Sequence, residues 1–440
     1  MTVPRPLRFP ASALGALALA AVGLLSQRPA SVLAASSPPE GGGLPVLDQE
    51  PILGVWIARA PRIEVTLMAD AHLKVDGSTR TLPSGTVSFE ATPDGGWRIA
   101  GGSRVVRSTG VLASGGHPIF ELDATPPFGA PRSLLLSGDL FFSVEGGALE
   151  VVEHIAMEDY LVGVVAAEMD PSWPPAALAA QAIVARSYAA ARWMERHDDR
   201  WQLNWHFAVD MAYHGVGPGR ESIERAVAAT RGEVLVYRGW PVLALFNASS
   251  GGRTEAFDHV KPGIRAPDGR TPIAPAMPVV DDPAAIPGAT GLGLADSHGR
   301  WKSDLPLPEV SAGLQRWSKE AWGRPHFGTV EGVSVLERYG DSGRVARVNI
   351  RHRLDGATLF TALPAADFRM AVSPVRIRSL LWDRCVIASR EPGYLVLEGR
   401  GFGHGCGLSQ VSAWYLASRG ASAESIVARF YAGARIERRY

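Results

Sequence analysis

The character of the sequence changes at Val151, and this change limits the folds that the chain can adopt. Before Val151, short alternating apolar and polar runs at 63–67, 86–89 and 134–142 are separated by Gly and Pro, which predicts strands joined by turns. After Val151, segments with helical spacing are mixed with further strands. Because the pattern lacks regular βαβ alternation, we expect an α+β fold, with an N-terminal mostly-β module followed by a mixed α/β domain.

Charge, proline and glycine mark the predicted helices. Glu158 and Asp159 lie in the first turn of the first helix, where the helix dipole favours them, and Pro171 stops that helix. Pro174 and Pro175 suit the start of the second helix. The predicted helices are 157–169, 174–196, 222–231, 307–322, 409–419 and 422–430. The strands predicted after Val151 are 233–237 and 241–246, which form a hairpin, and 345–350, 359–363 and 394–397.

The N-terminus has the pattern of an export signal. Arg5 and Arg8 precede an apolar run at 11–25, and small residues at 32–34 suit cleavage. We therefore predict a signal peptide and an exported protein of the periplasm or cell wall. The apolar run is shorter than the ~20 residues of a spanning helix. An uncleaved membrane anchor is therefore only the second choice after a cleaved signal peptide. No later apolar stretch of the sequence is long enough to cross a bilayer.

Charge and cysteine content exclude several classes of function. The 44 basic and 44 acidic residues balance, so the chain lacks the basic field that nucleic-acid binding requires. Its two cysteines, Cys385 and Cys406, are too few for a disulfide framework or a zinc cage. The sequence leaves open whether the two cysteines form one disulfide bridge or remain two free thiols. His404 and Cys406 are close in sequence, but zinc sites show tighter ligand pairs, so we expect no metal and no cofactor.

Glu168 lies where a carboxylate is unexpected. It falls at the centre of the apolar face of the first predicted helix, together with Leu161 and Val164. Burial disfavours the charged form, and a helix C-terminus is the wrong end for a negative charge, so we expect a raised pKa. A partly protonated carboxyl is what a general acid for a glycosidic oxygen requires. The alternative is a structural carboxylate that pairs with Arg186 or Arg192, or that reaches solvent at a frayed helix end.

The second predicted helix offers two polar candidates. Gln181 and Tyr188 flank a narrow stripe of small residues on this helix. They could present a hydrogen bond and an aromatic surface to a sugar. Packing and surface roles are the alternative.

A first glycine-rich segment, 247–255, follows an apolar strand. Paired glycines after a strand let backbone N–H groups face a ligand, and hydroxyls beside them add further hydrogen bonds. Such a loop could hold a phosphate or the hydroxyls of a sugar, and a simple turn is the alternative. The candidate residues in it are Ser249, Ser250, Gly251, Gly252 and Thr254.

A second glycine-rich segment, 399–407, has glycine at every second position. If this run is extended, one face has no side chains and the other carries Arg400, Phe402, His404 and Cys406. A nucleotide-binding loop does not fit, because its spacing needs glycine at position 406. A close-packing strand is the alternative. The candidate site residues are Gly403, His404 and, just beyond the segment, Gln410.

These motifs occur together in one known family. The runs YLVGVVAAEM at 160–169, AALAAQAIVARSYA at 176–189, SSGGRTE at 249–255 and GRGFGHGCGLSQ at 399–410 resemble, in the same order, the SpoIID/LytB signature. The resemblance extends from about residue 134 to the C-terminus. The predicted organisation is a signal peptide at 1–35, a linker at 36–50, a β-rich module at 51–133 and a SpoIID/LytB-like domain at 134–440 with a Pro/Gly-rich loop at 261–300.

The resemblance implies a protein that acts on peptidoglycan. The sporulation branch of the family contains lytic transglycosylases that cut glycan strands lacking peptide stems, and the other branch is known as an enhancer of a cell-wall amidase. The family's catalytic glutamate, in its Glu-Met-Pro motif, falls on Glu168, with Asp170 in place of the proline. Two further departures are residues 212–214, which replace a Gln-containing segment, and Cys406, where valine is usual.

We therefore expect a lytic transglycosylase that cleaves between N-acetylmuramic acid and N-acetylglucosamine, with Glu168 as general acid and base. The alternative is a non-catalytic glycan-binding enhancer of an N-acetylmuramoyl-L-alanine amidase. The expected partners are peptidoglycan glycan strands and, for the alternative, a cell-wall amidase.

Overall fold

The computed structural model describes residues 46–113, 120–126, 130–266, 269–271, 273–286, 299–389, 391 and 393–440. The predicted signal peptide and residues 36–45 of the predicted linker lie outside these ranges. Within them, no helix combines the length and the apolar character needed to cross a bilayer.

Helices and strands alternate irregularly along the chain, which confirms the predicted α+β class. In chain order, the strands are β1 Ile52–Ala60, β2 Arg62–Leu67, β3 Ala71–Val75, β4 Ser78–Leu82, β5 Gly85–Ala91, β6 Trp97–Ile99, β7 Gly110–Ala113, β8 Phe120–Ala124, β9 Arg132–Leu136, β10 Asp139–Glu145, β11 Ala148–Ala156, β12 Leu203–Asn204, β13 Glu233–Tyr237, β14 Trp240–Pro241, β15 Phe246–Asn247, β16 Arg300–Pro306, β17 Thr329–Arg338, β18 Val345–Leu354, β19 Ala357–Pro364, β20 Leu381–Ala388, β21 Tyr394–Arg400, β22 Leu408–Ser409 and β23 Arg435–Arg438. The helices are α1 Met157–Glu168, α2 Pro175–Glu195, α3 Glu221–Ala229, α4 Phe257–Val260, α5 Leu307–Trp322, α6 Ala365–Val372, α7 Gln410–Ser418 and α8 Ala423–Phe430.

The first twelve strands build two sheets. One has the order β12-β1-β11-β10-β7-β3-β4 and the other the order β6-β5-β2-β8-β9. The run at 134–142, which we expected to form one strand, turns at Ser137 and Gly138 and supplies β9 to one sheet and β10 to the other, so that expectation was wrong. Because β1 pairs with β11, strands from both sides of residue 134 share a sheet. The division into a module at 51–133 and a domain at 134–440 stays a prediction.

The helices that carry the site follow directly from β11. Helix α1 begins at Met157 without a linker, has Glu158 and Asp159 in its first turn, and ends at Glu168. Helix α2 begins at Pro175 and packs against α1, α3, α7 and α8. The predicted hairpin at 233–246 is shorter than expected, because only Val236 and Tyr237 of β13 pair with β14, and most of β13 pairs with β23 on its other side. Residues Phe246 and Asn247 pair instead in parallel with β22, which places the first glycine-rich segment beside the second.

Residues 300–400 form a second unit with a hydrophobic core of its own. The sheets β16-β21-β20 and β17-β18-β19 surround this core together with α5 and α6. The core includes Trp301, Phe368 and Trp382. The Gly401 N–H donates to the Gly299 carbonyl at 2.7 Å. The unit is therefore an insertion whose first and last residues lie next to each other, and along the chain it follows the first glycine-rich segment and leads into the second.

Candidate active site

Glu168 is the last residue of α1, and only 6% of it is exposed. Its Oε1 accepts a hydrogen bond from the Ala212 N–H at 3.3 Å, and its Oε2 accepts one from Gln410 Nε2 at 3.4 Å. Both bonds are long, so they replace the lost hydration of a carboxylate only in part. Burial therefore dominates and raises the pKa of Glu168 to about 7. Near neutral pH the carboxyl group is partly protonated, as its position in the sequence predicted.

The alternative in which Glu168 pairs with an arginine is wrong. The Arg186 guanidinium pairs instead with Glu158, at 2.7 Å, and Arg192 pairs with Asp210 at 3.3 Å. Within the part of the chain that the structure describes, no cation lies within ion-pair distance of Glu168. Its proton is therefore not displaced by a neighbouring positive charge.

Two amide side chains stand next to the carboxyl group. Gln410 is the first residue of α7, and its Nε2 lies 3.5 Å from Gln181 Oε1 as well as 3.4 Å from Glu168. Gln181 and Gln410 are both buried. Since the Gln181 oxygen accepts from the Gln410 amide, it keeps the NH₂ end of Gln410 toward Glu168. The predicted contact of both residues with a sugar stays a prediction.

A pocket lies beside Glu168, and two of the predicted site residues, Tyr188 and His404, are in its wall. The Tyr188 hydroxyl donates to Asp210 Oδ1 at 2.9 Å. That hydroxyl is therefore engaged within the protein, and Tyr188 offers a ligand the apolar ring. The complete lining is Glu168, Tyr188, Phe207, Asp210, Met211, Leu245, Phe246 and His404.

His404 is a neutral hydrogen-bond donor in this pocket wall. Its Nδ1 accepts from the Cys406 N–H at 3.0 Å, which places the ring proton on Nε2. Burial, followed by the charges of Lys261, Arg369 and Arg344, lowers the pKa of His404 to about 3. Its Nε2 is buried and makes no hydrogen bond of ordinary geometry within the described residues, while the Phe246 backbone, the smallest of the causes, raises the pKa slightly. A buried N–H without an acceptor is costly, so a ligand oxygen in the pocket would stabilise it.

Sequence reasoning missed Asp210. This residue is buried and accepts from the Asn204 N–H at 2.9 Å as well as from Tyr188. It forms ion pairs with Arg192 at 3.3 Å and with Arg196 at 3.2 Å. The signal for it was the pair of arginines four residues apart at the end of α2, Arg192 in its last turn and Arg196 just beyond it, since such a pair at a buried face calls for an acidic partner.

The two glycine-rich segments bind each other through their backbones. The Ser249 N–H donates to the Phe402 carbonyl at 3.1 Å, and the Phe402 N–H donates to the Ser249 carbonyl at 2.8 Å. Beyond Arg400, where β21 ends, the second segment is not extended, so the bare face that an extended run would have does not form. Its glycines at 401, 403, 405 and 407 have φ between 71° and 107°, the left-handed region that other residues avoid. A Cβ at Gly401 would lie 2.9 Å from the Ser249 carbonyl oxygen.

The predicted hydroxyls of the first segment form hydrogen bonds inside the protein. Ser250 Oγ donates to Asp282 Oδ2 at 2.6 Å, and Thr254 Oγ1 donates to the Pro278 carbonyl at 3.3 Å. The Ser249 hydroxyl accepts from the Gly251 N–H at 3.3 Å. All three hydroxyl-bearing residues are buried, so in this conformation they stabilise the loop. Sugar contacts by this segment, including Gly251 and Gly252, and by Gly403 stay predictions.

One arginine of the second unit holds the first glycine-rich segment. The Arg344 guanidinium is buried and donates to the carbonyls of Ser250, at 2.6 Å, and Arg253, at 2.9 Å. A Cβ at Gly405 would overlap this guanidinium. Glycine at 405 therefore leaves the space that Arg344 needs, and the second unit and both glycine-rich segments meet at this residue.

The two cysteines do not pair. Cys385 is half-buried in the second unit and Cys406 is buried in the second glycine-rich segment, and both are free thiols. Of the two possibilities that the sequence left open, the structure has the free thiols.

Two family models match the chain. The model of SpoIID, described as stage II sporulation protein, matches residues 145–237, which contain α1, α2 and Glu168. The model of DUF8618, a domain of unknown function, matches residues 294–407, which contain the second unit and the second glycine-rich segment. The first match therefore includes Glu168 of the candidate site, and the second includes His404.

Three relatives are similar to this chain at modest identity. An uncharacterised protein of Brachyspira hyodysenteriae is 27% identical over 304 residues, which cover 67% of this chain and 70% of the relative. The stage II sporulation protein D of Bacillus amyloliquefaciens is 26% identical over 312 residues, covering 64% and 74%. The amidase enhancer of Bacillus subtilis is 24% identical over 296 residues, covering 62% of this chain and only 39% of the enhancer.

Proposed function

Because the chain carries a SpoIID-family domain, as its motifs predicted, we propose that it is a lytic transglycosylase acting on peptidoglycan glycan strands. The names of the relatives support the coarser statement, a role related to sporulation or the cell wall. The finer proposal rests mainly on one observation. Glu168 is a carboxyl group with a pKa of about 7, next to a pocket and without a paired cation among the described residues.

The proposed reaction uses this one group twice. Protonated Glu168 donates its proton to the oxygen between C1 of N-acetylmuramic acid and C4 of N-acetylglucosamine, and the C1–O bond breaks. The C6 hydroxyl of the same muramic acid then attacks C1 and gives its proton to the Glu168 carboxylate. The products are a free C4 hydroxyl and a 1,6-anhydro ring, and no water is consumed. Hydrolytic glycosidases need a second carboxylate, whereas an internal alcohol as nucleophile removes that requirement.

The rest of the pocket wall suits this chemistry. Asp210 is bound by two arginines and is therefore not available as a second base. The Nε2–H of neutral His404 can donate to a sugar oxygen. The apolar side chains of Phe207, Met211 and Phe246 exclude water from the wall, which keeps the pKa of the carboxyl group raised and disfavours hydrolysis.

The test is a product assay on glycan strands from which the peptides have been removed. We expect the wild type to produce strands with 1,6-anhydromuramic ends, detected by mass spectrometry, and Glu168→Gln to lose at least about a hundredfold in rate. Glu224→Gln, at an exposed position in the first turn of α3, is the matched control and should keep the wild-type rate. Ends with an opened ring, labelled when the reaction runs in heavy-oxygen water, would show hydrolysis and refute the proposal.

The second candidate function is a non-catalytic enhancer of a cell-wall amidase, which the name of one relative favours. In that case the pocket binds glycan, and Glu168 only accepts hydrogen bonds. Retained binding without anhydro ends, together with faster peptide release by an added amidase, would support this function. An exported location is part of both proposals, because peptidoglycan lies outside the cytoplasmic membrane, and it rests on the N-terminal sequence pattern.

A further inference from the structure

Three side chains of the types that ligate metals meet where the second unit contacts the first glycine-rich segment. Glu255 is the last residue of that segment, His259 lies in α4, and Asp341 lies in the turn between β17 and β18. Each offers one ligand atom, and these atoms all lie within 4.8 Å of one another. None of the three lines the pocket beside Glu168. The cluster is therefore separate from the candidate active site.

The cluster has a fixed inner end and an open outer end. His259 Nδ1 lies 2.8 Å from Glu255 Oε1, and the His259 ring stacks on Tyr339, with ring centroids 3.8 Å apart and an interplanar angle of 8°. Glu255 is buried, His259 is half-buried and Asp341 is exposed. An ion that binds here therefore has ligands held in place on one side and a path from solvent on the other.

Ser342 orients both carboxylates. Its hydroxyl donates to Glu255 Oε2 at 2.6 Å, and its N–H donates to Asp341 Oδ1 at 2.9 Å. Because Ser342 engages Oε2, the other oxygen of Glu255 is the one that faces His259. In metal sites the ligating carboxylates are held by hydrogen bonds of this kind.

The charge of the cluster suits a divalent cation. With a neutral imidazole, the two carboxylates contribute two negative charges. The Arg344 guanidinium interacts electrostatically with Glu255, but its hydrogen bonds go to backbone carbonyls. Among the described residues, Asp341 forms no ion pair, and His259 is the only side chain at ion-pair distance from Glu255. Negative charge therefore remains for an ion to compensate.

The donor set selects the class of ion. One imidazole nitrogen with two carboxylate oxygens fits zinc and related divalent transition metals, whereas Mg²⁺ and Ca²⁺ prefer oxygen ligands alone. Zinc bonds of about 2.1 Å place tetrahedral ligand atoms about 3.4 Å apart. Since the ligand atoms of the cluster already lie within 4.8 Å of one another, each needs to move inward by less than about 1 Å.

We propose that Glu255, His259 and Asp341 bind one divalent transition-metal ion of the zinc type, which joins the second unit to the first glycine-rich segment. The ion takes the place of the hydrogen bond between Glu255 and His259, and water fills the fourth position. Its ligands come from two segments that are far apart in sequence. The inference goes beyond the proposed function and does not depend on the reaction at Glu168.

The test measures metal binding by the whole chain after a chelator has removed bound ions and has itself been removed. Calorimetry with zinc chloride should give one ion per chain. His259→Gln and Asp341→Asn should each weaken zinc binding by at least about tenfold, since each variant lacks one ligand. Mg²⁺ should bind at least about a hundredfold more weakly than zinc, because the site contains an imidazole.

Two control variants remove the same chemical groups elsewhere. Asp258→Asn, at an exposed position of α4, and His72→Gln, at an exposed position of β3, should bind zinc as the wild type does. Because Asp341 is exposed, Asp341→Asn should also keep the unfolding midpoint of the metal-free wild type. Loss of zinc binding in that variant is then not a consequence of misfolding.

A second measurement locates the ion. Zinc should slow backbone hydrogen exchange at 255–260 and at 339–344 together, because the ion joins these two segments, and Asp341→Asn should lack this effect. Cobalt bound in place of zinc should show no thiolate-to-metal charge-transfer band, since neither cysteine is a ligand.

Four results would overturn the inference: no zinc binding by the wild type, unchanged affinity in either ligand variant, equal affinity for Mg²⁺, or protection confined to other segments. A thiolate band with cobalt would assign the ion to a cysteine and would also overturn it. Glu255 and His259 would then be an ordinary hydrogen-bonded pair. None of these results bears on the assay for anhydromuramic ends, so the proposed function stands or falls separately.

Discussion

Replacing Glu168 with glutamine is expected to stabilise the folded protein at neutral and alkaline pH. The pKa of this carboxyl group is about 7 in the folded state, against an ordinary value of 4.5. The cause is burial, opposed by only two long hydrogen bonds. The folded protein therefore retains a proton over a pH interval in which the unfolded chain has already released it.

The sign and size of the effect follow from this difference. The contribution of Glu168 to stability is fully present below pH 4.5, decreases as the pH rises toward about 7, and is lost above that value. The interval of about 2.5 pH units corresponds to about 3 kcal/mol in the free energy of unfolding. Glutamine has no proton to release, so the variant lacks this loss. Its advantage over the wild type should grow from about zero in acid to about 3 kcal/mol above neutrality.

The measurement is urea unfolding of both proteins from about pH 4 to about pH 8. Glu158→Gln, in the first turn of the same helix, is the matched control. Its carboxylate is paired with the buried Arg186 at 2.7 Å, so its removal leaves an uncompensated charge and should destabilise the protein at pH 8. A difference between wild type and Glu168→Gln that stays constant over the pH range, or that shrinks as the pH rises, would refute the reasoning.

Three further outcomes are expected. The glycan-cleaving rate should fall as the pH rises above about 7, because Glu168 must donate a proton. Gln410→Leu should raise the pH at which the rate falls by roughly half to one unit, since the variant lacks a hydrogen-bond donor to the Glu168 carboxylate. Gly407→Ala should lower the free energy of unfolding, measured by chemical denaturation, by more than about 3 kcal/mol, because φ at this position is positive and a Cβ would overlap the Leu245 carbonyl. Gly420→Ala, where φ is also positive but the space is open, should lower it by only about 1 kcal/mol. Both cysteine thiols should react slowly with a maleimide in the native protein and quickly in denaturant, since burial raises the pKa of each.

Local signals in the sequence were sufficient for six of the described helices, though not for α4 and α6, and for the central carboxyl group. Proline at the start of α2 and acidic residues in the first turn of α1 gave bounds within a residue or two of the observed ones. Glu168 was identified because helical periodicity alone places it on an apolar face, and burial of that face follows from the hydrophobic effect. Both inferences depend only on neighbours along the chain.

What the sequence did not predict depends on contacts between distant segments. Asp210 is explained only by its ion pairs with Arg192 on α2 and with Arg196 just beyond the end of α2. The glycines at 401 and 405 were compatible with an extended run as well as with a loop, because alternation is the pattern of strands. The observed left-handed backbone allows close approach to the Ser249 carbonyl in one case and to the Arg344 guanidinium in the other. Neither neighbour is visible in the local sequence.

The position of Arg344 bears on how freely the second unit can be exchanged in evolution or in engineering. The two ends of the second unit meet at Gly299 and Gly401, so a short connection between them could close the chain if the unit were removed. Such a connection would also remove the donor to the carbonyls of Ser250 and Arg253 and leave a hole at Gly405. Any replacement must bring a guanidinium back to that point and also a donor in place of the Ser342 hydroxyl, which donates to Glu255 at 2.6 Å, so side-chain contacts as well as the two ends join the unit to the rest of the chain.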